Sequence, residues 1–205
     1  MKKLIIILSV LLTTLLLQSC ATLKYKVMDS YDRFENIRTQ QTRWNLLGSD
    51  GQRGHVYFDL YKTSGATPTT YFIILRYIGS SWIFIPEGES LVLLIDGKKH
   101  ELSGDGSSDA REVLSGLVSE GASYEVNKKF IEKICNAKEI ELKIRADYSL
   151  VRYFTKTNFE RLKDFYNKNI KNDDEIWHYQ KYHLLLQRSK IYWSESSALK
   201  RIFLF

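Results

Sequence analysis

The stretch VNKKFIEKICNAKEIELKIR, residues 126–145, decides the fold class, because it predicts one helix followed closely by one strand. Asn127 is a favoured helix N-cap residue, and the apolar residues Ile131, Ile134 and Cys135 follow it at helical spacing, which predicts a helix to about Asn136. Residues 139–145 then alternate strictly between charged and aliphatic side chains. Such alternation is typical of a strand with one buried face.

The chain before this stretch predicts a series of strands. They lie at 55–61, 71–78, 82–85, 91–95 and 98–102. The second and third are apolar on both faces apart from Arg76, which is typical of central strands covered on both sides. Asp96-Gly97 favours a two-residue hairpin turn, because both central residues of a type I′ turn need a positive φ angle. The charged strand after that turn is typical of a sheet edge.

The chain after residue 145 predicts a strand at 149–154 and a helix at 157–170, which begins with a capping-box pattern at Thr157. Residues 109–122 fit either a helix or a strand, and the periodicity leaves that choice open. Strands in succession with two interspersed helices predict an α+β fold, consisting of a mostly antiparallel β-sheet with about two helices packed on it.

The first twenty residues have the parts of an export signal. Lys2 and Lys3 give a positive start, and an apolar core of 14 residues follows from Leu4 to Leu17. A helix of that length is about 21 Å long, which is short of the roughly 30 Å hydrocarbon core of a bilayer. The segment therefore predicts a cleaved export signal rather than a membrane span.

The core ends in Leu17-Gln18-Ser19-Cys20, which resembles the lipobox of bacterial lipoproteins: an aliphatic residue, a middle residue, a small residue and a cysteine. Gln18 is a less usual middle residue in that family. The resemblance implies cleavage between Ser19 and Cys20. It also implies a diacylglycerol group on the Cys20 thiol and a fatty acyl group, such as palmitate, on the new amine.

The residues directly after Cys20 bear on the location of the protein. In the lipoprotein family an aspartate beside the cysteine often marks retention in the inner membrane, and an acidic run can mark surface export. Residues 21–26 contain neither. The resemblance therefore implies a lipid-anchored protein of the cell envelope, on the outer membrane and facing the periplasm. Two or more acyl chains give stable attachment, at about 0.8 kcal/mol per buried CH₂.

These observations divide the chain into four parts. Residues 1–19 are the lipoprotein signal peptide, and residues 20–45 are the lipid anchor and tether. Residues 46–170 are the α+β domain. Residues 171–205 form an aromatic-rich C-terminal segment, for which the sequence leaves two interpretations open: a part packed on the domain, or a tail that binds a partner or the membrane.

Composition limits the classes of partner. The 30 lysines and arginines exceed the 24 acidic residues by six, and by four once Lys2 and Lys3 are removed with the leader. This mild excess fits contact with anionic lipids or cell-wall polymers and fits equally a protein with no charged partner. An exported chain is not expected to bind nucleic acid. With Cys20 lipidated, Cys135 is the other of the two cysteines, so no intrachain disulfide is expected.

Four groups of polar residues are candidates for chemistry: His55 with Asp59, Asp96 with His100, Asp105 with Ser107 and Asp109, and His178 with His183. Residues four apart on a strand are separated by about 13 Å, too far for a direct acid–base pair, and the Asp96-Gly97 pair is explained by its turn. The loop at 105–109 lacks the central glycine and the terminal glutamate of a calcium loop. The last two histidines are five apart, which does not place two metal ligands on one helix face.

The sequence therefore assigns no catalytic residue, cofactor or metal, and Cys20 is its one predicted modification site. Cys135 lies on the apolar face of its helix and is interpreted as a buried residue rather than a reactive thiol. The leading hypothesis is a non-enzymatic accessory, scaffold or binding module with an envelope protein or wall polymer as its partner. The alternatives are an envelope hydrolase and a binder of a small apolar or lipid ligand.

Overall fold

The computed structural model describes residues 23–51, 54–65, 68–114 and 116–173. This part of the chain contains ten strands and two helices, which confirms the predicted α+β class with mostly antiparallel sheet. The leader with Cys20, and His178 and His183, lie outside the described residues.

The strands are β1 Lys26–Asp32, β2 Ile37–Arg43, β3 His55–Gly65, β4 Thr70–Gly79, β5 Gly88–Ile95, β6 Lys98–Gly104, β7 Arg111–Leu114, β8 Leu117–Val126, β9 Ile140–Ile144 and β10 Leu150–Tyr153. The helices are α1 Lys128–Asn136 and α2 Lys156–Asn169.

The strands form two antiparallel sheets. The larger sheet has the order β1-β2-β3-β4-β8-β7, and the smaller sheet has the order β10-β9-β5-β6. Neighbouring strands of the larger sheet run in opposite directions. One end of this sheet is therefore formed by the starts of β1, β3 and β8 and by the ends of β2 and β4. We call these strand ends and the loops that join them the proximal end, since the N-terminal part of the chain joins the domain there.

One face of the larger sheet packs with the smaller sheet and both helices into a single hydrophobic cluster. On β4, for example, Ile73 and Leu75 are buried on that inner face, whereas Phe72 and Ile74 are partly exposed on the opposite face. We call this opposite face the outer face of the larger sheet.

Three local predictions are confirmed. The side chain of Asn127 accepts a hydrogen bond from the backbone N–H of Phe130, as an N-cap should. In β9 the aliphatic residues are buried and the charged residues between them are exposed. The β5–β6 connection is a two-residue turn in which Asp96 and Gly97 have φ angles of 48° and 77°, and β6 is a sheet edge.

The structure corrects the predicted tether. Most of the region assigned to it forms the β1–β2 hairpin, which pairs with β3 and extends the larger sheet. The folded domain therefore begins about twenty residues before the predicted boundary at 46. The hairpin escaped prediction because β1 has no buried residue and β2 buries Gln40 and Thr42, so neither strand shows an apolar alternation.

Three further predictions are settled or corrected. Residues 109–122, which fitted either a helix or a strand, contribute to two strands, β7 and β8. The predicted strand at 82–85 is an irregular loop between the two sheets. The second helix is capped by Thr155 rather than Thr157, because the side chains of Thr155 and Asn158 bond reciprocally to each other's backbone N–H groups.

Candidate functional site

The structure separates the residues that were candidates for acid–base chemistry. His55 is exposed at the first position of β3, whereas Asp59 is buried within the same strand. His100 belongs to the smaller sheet and packs edge-on against Phe130, with ring centroids 5.4 Å apart. These side chains do not form a catalytic cluster in the described part of the chain.

The acidic candidates serve local structure. Asp96 accepts hydrogen bonds from the backbone N–H groups of Lys138 and Glu139 at 2.8 and 3.0 Å. Asp105 accepts bonds from the backbone N–H and the hydroxyl of Ser123 at 2.7 and 2.6 Å. Within the described ranges no group of three or more His, Cys, Asp or Glu side chains is arranged to hold a metal ion.

Cys135 is buried, as predicted from its place on the helix. Burial raises the pKa of its thiol to about 12, although the charge of Lys163 acts in the opposite direction. A thiol with this pKa stays protonated near neutral pH, and the thiolate is the reactive form. Cys135 is therefore a packing residue with little reactivity.

A partly exposed tryptophan at the proximal end is contacted by two arginines. The Cζ atoms of Arg43 and Arg76 lie 5.3 and 5.2 Å from the centroid of the Trp44 ring. Tyr57 packs edge-on against the same ring, with centroids 5.3 Å apart. Guanidinium groups within about 6 Å of an aromatic face are attracted by the ring quadrupole. The arrangement therefore places two positive charges and a large apolar ring together on the outer face.

A buried carboxylate fixes the backbone that carries Trp44. Asp59 accepts hydrogen bonds from the N–H groups of Trp44 and Asn45 at 3.1 and 3.2 Å and from the hydroxyl of Thr42 at 3.1 Å. Trp44 has a φ angle of 69°, which is an uncommon left-handed conformation for a bulky residue. This conformation turns the indole ring toward Arg76 and Tyr57.

Burial raises the pKa of Asp59 to about 6, although its hydrogen bonds to Asn45, Thr42 and Trp44 and the charge of Arg76 favour the ionised form. Burial also lowers the pKa of the Arg76 guanidinium, and the charge of Arg43 adds to that effect. Arginine nevertheless remains protonated in proteins, so both guanidinium groups stay positive.

The first described residues join the domain beside this site. Lys26 pairs with Arg43 in the β1–β2 ladder, so Tyr25 and Trp44 extend the two strands at the same end. The Tyr25 hydroxyl donates to the carbonyl oxygen of Arg161 at 3.4 Å, and the Arg161 guanidinium lies 4.6 Å from the tyrosine ring centroid. These contacts fix the position of Tyr25, five residues after Cys20, on the domain.

Large apolar side chains are exposed at the proximal end. Their exposed fractions are Leu23 48%, Leu46 41%, Phe84 42%, Val113 70% and Leu117 45%. They belong to the N-terminal residues, to two loops and to the β7–β8 turn region, which lie at the same end of the larger sheet. Single exposed apolar residues are ordinary, but a group of them at one end of a molecule is typical of an interaction surface.

A second buried carboxylate, Glu120 of β8, holds the loop that presents Phe84. It accepts hydrogen bonds from the N–H groups of Phe84 and Ile85 at 3.2 and 3.3 Å, and from the Ser107 hydroxyl at 2.7 Å. Arg111 lies with its Cζ atom 4.8 Å from the Phe84 ring centroid. The predicted calcium-loop candidates are thus divided, since Ser107 turns inward to Glu120 while Asp109 is exposed.

A groove of about 440 Å³ lies where the end of α1 meets the start of α2. Its floor contains the buried Cys135 and Phe154 and the partly buried Ala137 and Phe159. Its rim carries exposed charged residues, which are Lys138, Lys156, Glu160 and Lys163. The groove therefore combines an apolar floor with a largely positive rim.

No local pattern in the sequence predicts the arrangement around Trp44 at the proximal end. Trp44, Arg43 and Arg76 come from two segments about thirty residues apart, and only the pairing of β2, β3 and β4 brings them together. The nearest available signal was the lone Arg76 in an otherwise apolar run.

No helix among the described residues has the length and apolar character needed to cross a membrane. Comparison with known proteins finds no matching family model, no matching curated protein and no matching solved structure.

Proposed function

We propose that the protein is a bacterial lipoprotein of the cell envelope, anchored through lipidated Cys20, whose folded domain is a non-enzymatic accessory or binding module. The observation that carries this proposal is the sequence Leu17-Gln18-Ser19-Cys20 at the end of an apolar core of 14 residues. The proposed location is the periplasmic face of the outer membrane, and the proposed partner is an envelope protein or a cell-wall polymer.

The arrangement of polar residues supports a binding role over the hydrolase alternative. A hydrolase that uses a nucleophile activated by a general base needs these two groups within hydrogen-bond reach of each other. In the described ranges Asp59 is engaged with the backbone under Trp44, and His55 and His100 lie on different sheets. The partly exposed Trp44 and its two arginines are, in contrast, residue types enriched in interfaces.

The groove between the helices favours a second candidate function, the binding of a small lipid-like ligand. Its volume falls within the range of about 300–1,000 Å³ typical of ligand sites. The apolar floor suits an acyl chain and the lysine rim suits an anionic head group. We place this function second because the groove is shallow, being open to solvent along its charged rim.

The two cysteines allow a matched test of the anchor. Cells that express the protein are supplied with a labelled fatty acid, and Cys20→Ser is compared with Cys135→Ala. We expect the Cys20→Ser protein to carry no label and to leave the membrane fraction, because the acyl acceptor is lost. We expect the Cys135→Ala protein to carry the label and to stay in the membrane fraction, because the Cys135 thiol is buried. Label retained by the Cys20→Ser protein would contradict the lipobox interpretation.

A further inference from the structure

We propose that the proximal end is a membrane-docking surface that lies directly against an anionic lipid bilayer. This inference rests on the proposed lipidation of Cys20. It adds that the anchored domain is held in one orientation by its own side chains, instead of hanging from a flexible tether.

The connection between Cys20 and the domain is short. The described chain begins at Leu23, three residues after Cys20. Three residues span at most about 11 Å when fully extended. The Debye length at physiological ionic strength is about 8 Å. Charged groups next to Leu23 would therefore lie within about one and a half Debye lengths of a lipid surface, where part of its potential remains.

The proximal end exposes large apolar side chains. Leu46, Phe84 and Leu117 are between 41% and 45% exposed and come from three separate loops or strand ends. Trp44 lies at the same end, on the outer face, and tryptophan is enriched at membrane–water interfaces because its ring is largely apolar and carries one polar N–H. Burial of these side chains among lipid head groups would remove their apolar surface from water.

The proximal end carries several exposed or partly exposed positive charges. Lys24 and Lys26 are exposed next to the chain's exit, and Arg43 and Arg76 flank Trp44. Glu112, whose charge acts on Arg76, offsets part of this excess. Each cation near an anionic surface favours the docked state by about fivefold. The occupant that fits apolar loops ringed by cations is an anionic bilayer.

The opposite end of the larger sheet has a different character and supplies a control. The β1–β2 turn exposes 98% of Phe34, and its charged neighbours Asp32, Arg33 and Glu35 have a net charge of −1. An exposed apolar side chain in a net acidic setting is poorly suited to an anionic surface. Positions 34 and 46 are therefore both apolar but differ in electrostatic setting, and each is compared with its own exposure in the absence of vesicles.

The test places one probe at each end of the lipidated, full-length protein. Leu46→Cys, Leu117→Cys and Phe34→Cys proteins are labelled with an environment-sensitive fluorophore on phosphatidylglycerol-containing vesicles. Cys20 is occupied by lipid in the proposed mature protein, and the buried Cys135 thiol has its pKa raised to about 12, so the introduced thiol is labelled selectively. Relative to the same labelled proteins in a neutral detergent, we expect the vesicles to lower the access of a water-soluble quencher several-fold at positions 46 and 117 and to leave it unchanged at position 34.

Each outcome bears on the proposal. Quencher access at positions 46 and 117 that does not fall on the vesicles, in protein whose mass shows the lipid, would contradict docking and leave the anchor intact. If the purified protein carries no lipid, the proposed anchor is contradicted. If this unlipidated protein is then added to the same vesicles and its probe at position 46 is shielded from the quencher, the docking surface is still supported. The probes could also be shielded from the quencher only when many protein molecules share a vesicle, whatever the content of anionic lipid. That result would assign the surface to a second copy of the chain and overturn the proposal.

A charge variant tests the electrostatic part separately. Lys24→Glu with Lys26→Glu leaves the hydrophobic core untouched, because both side chains are exposed. We expect these changes to restore quencher access at position 46 on anionic vesicles. The same pair of changes in the Phe34→Cys protein should alter nothing, and unchanged shielding at position 46 would contradict the role of charge.

Discussion

At the scale of single residues, Asp59 and Trp44 show how a surface side chain is positioned by a buried one. A left-handed backbone costs a bulky residue about 1–2 kcal/mol. The Asp59 carboxylate offsets this cost by accepting bonds from the Trp44 and Asn45 N–H groups, which would otherwise lack acceptors. This arrangement removes the Asp59 carboxylate from water, which is unfavourable for the charged form. Burial accordingly raises the pKa of Asp59 to about 6.

This pKa predicts a pH dependence of stability. The pKa of Asp59 is 3.8 in the reference state and about 6 in the fold, so the folded protein binds the proton more tightly. The contribution of the Asp59 carboxyl group to stability is therefore present below about pH 4 and is lost as the pH rises through about 6. The free energy of unfolding falls by about 3 kcal/mol over this range. Asp59→Asn cannot titrate, so its stability relative to the wild type should rise by about that amount between pH 4 and pH 7.

Urea denaturation of both proteins at several pH values measures this difference. A constant difference in unfolding free energy between the wild type and Asp59→Asn across pH 4–7 would show that Asp59 has an ordinary pKa. The sequence placed Asp59 correctly on the strand face of His55 and excluded a direct pair with it. It could not show the true partners, because Thr42, Trp44 and Asn45 meet Asp59 only through the fold.

At the scale of elements, the correct predictions are those that depend on neighbours in the chain. The Asn127 cap, the alternation of β9 and the Asp96-Gly97 turn each involve residues within a few positions of one another. The segment at 82–85 has the composition of a strand, yet it is a loop. Its backbone N–H groups donate to Glu120 instead of to a neighbouring strand, and Glu120 lies 35 or more residues further along the chain.

Glu120 should therefore be worth far more to stability than other glutamates of the same strand. Glu120→Ala leaves the buried N–H groups of Ile83 and Ile85 without their acceptor, and the Ser107 hydroxyl keeps only the Ile85 carbonyl oxygen, at 3.3 Å. We expect a loss of about 4 kcal/mol in unfolding free energy. Glu125→Ala, in the same strand but exposed, should change the free energy by less than about 0.5 kcal/mol.

Chemical denaturation of the two alanine variants decides this comparison. Similar losses at both positions would mean that the loop holds its shape without Glu120. Near-UV circular dichroism gives a second readout, because Trp82 and Phe84 lie in the loop with ring centroids 6.4 Å apart. We expect their signal to weaken in Glu120→Ala and to persist in Glu125→Ala.

At the scale of the whole molecule, the domain extends almost to the predicted anchor. The sequence assigned residues 20–45 to an anchor and tether, because the polar strands β1 and β2 have no apolar period. Those strands are held instead by pairing with β3, by the ion pair of Arg38 with Asp29 and by the bond of Gln40 to Asn169 of α2. These are long-range or surface contacts that no local pattern reveals.

The C-terminal end of the described chain is fixed in a similar way. The largely buried Lys62 bonds to Asp173 at 2.5 Å and to the carbonyl oxygen of Asn169 at 2.6 Å, and the Tyr71 hydroxyl donates to Asp173 at 2.6 Å. Asp173 therefore lies at the β3–β4 loop end of the sheet, opposite the proximal end. The chain thus enters and leaves the described domain at opposite ends of the larger sheet.

The proposed anchor holds this domain at a membrane through Cys20, with the proximal end nearest the lipid. Mass spectrometry of the protein extracted from its own membranes tests for that anchor. Trypsin should release an N-terminal peptide that runs from Cys20 to Lys24. We predict that this peptide carries the added mass of a diacylglycerol group and an amide-linked fatty acid. An unmodified peptide containing Cys20, or a mature chain that begins at another residue, would contradict the account.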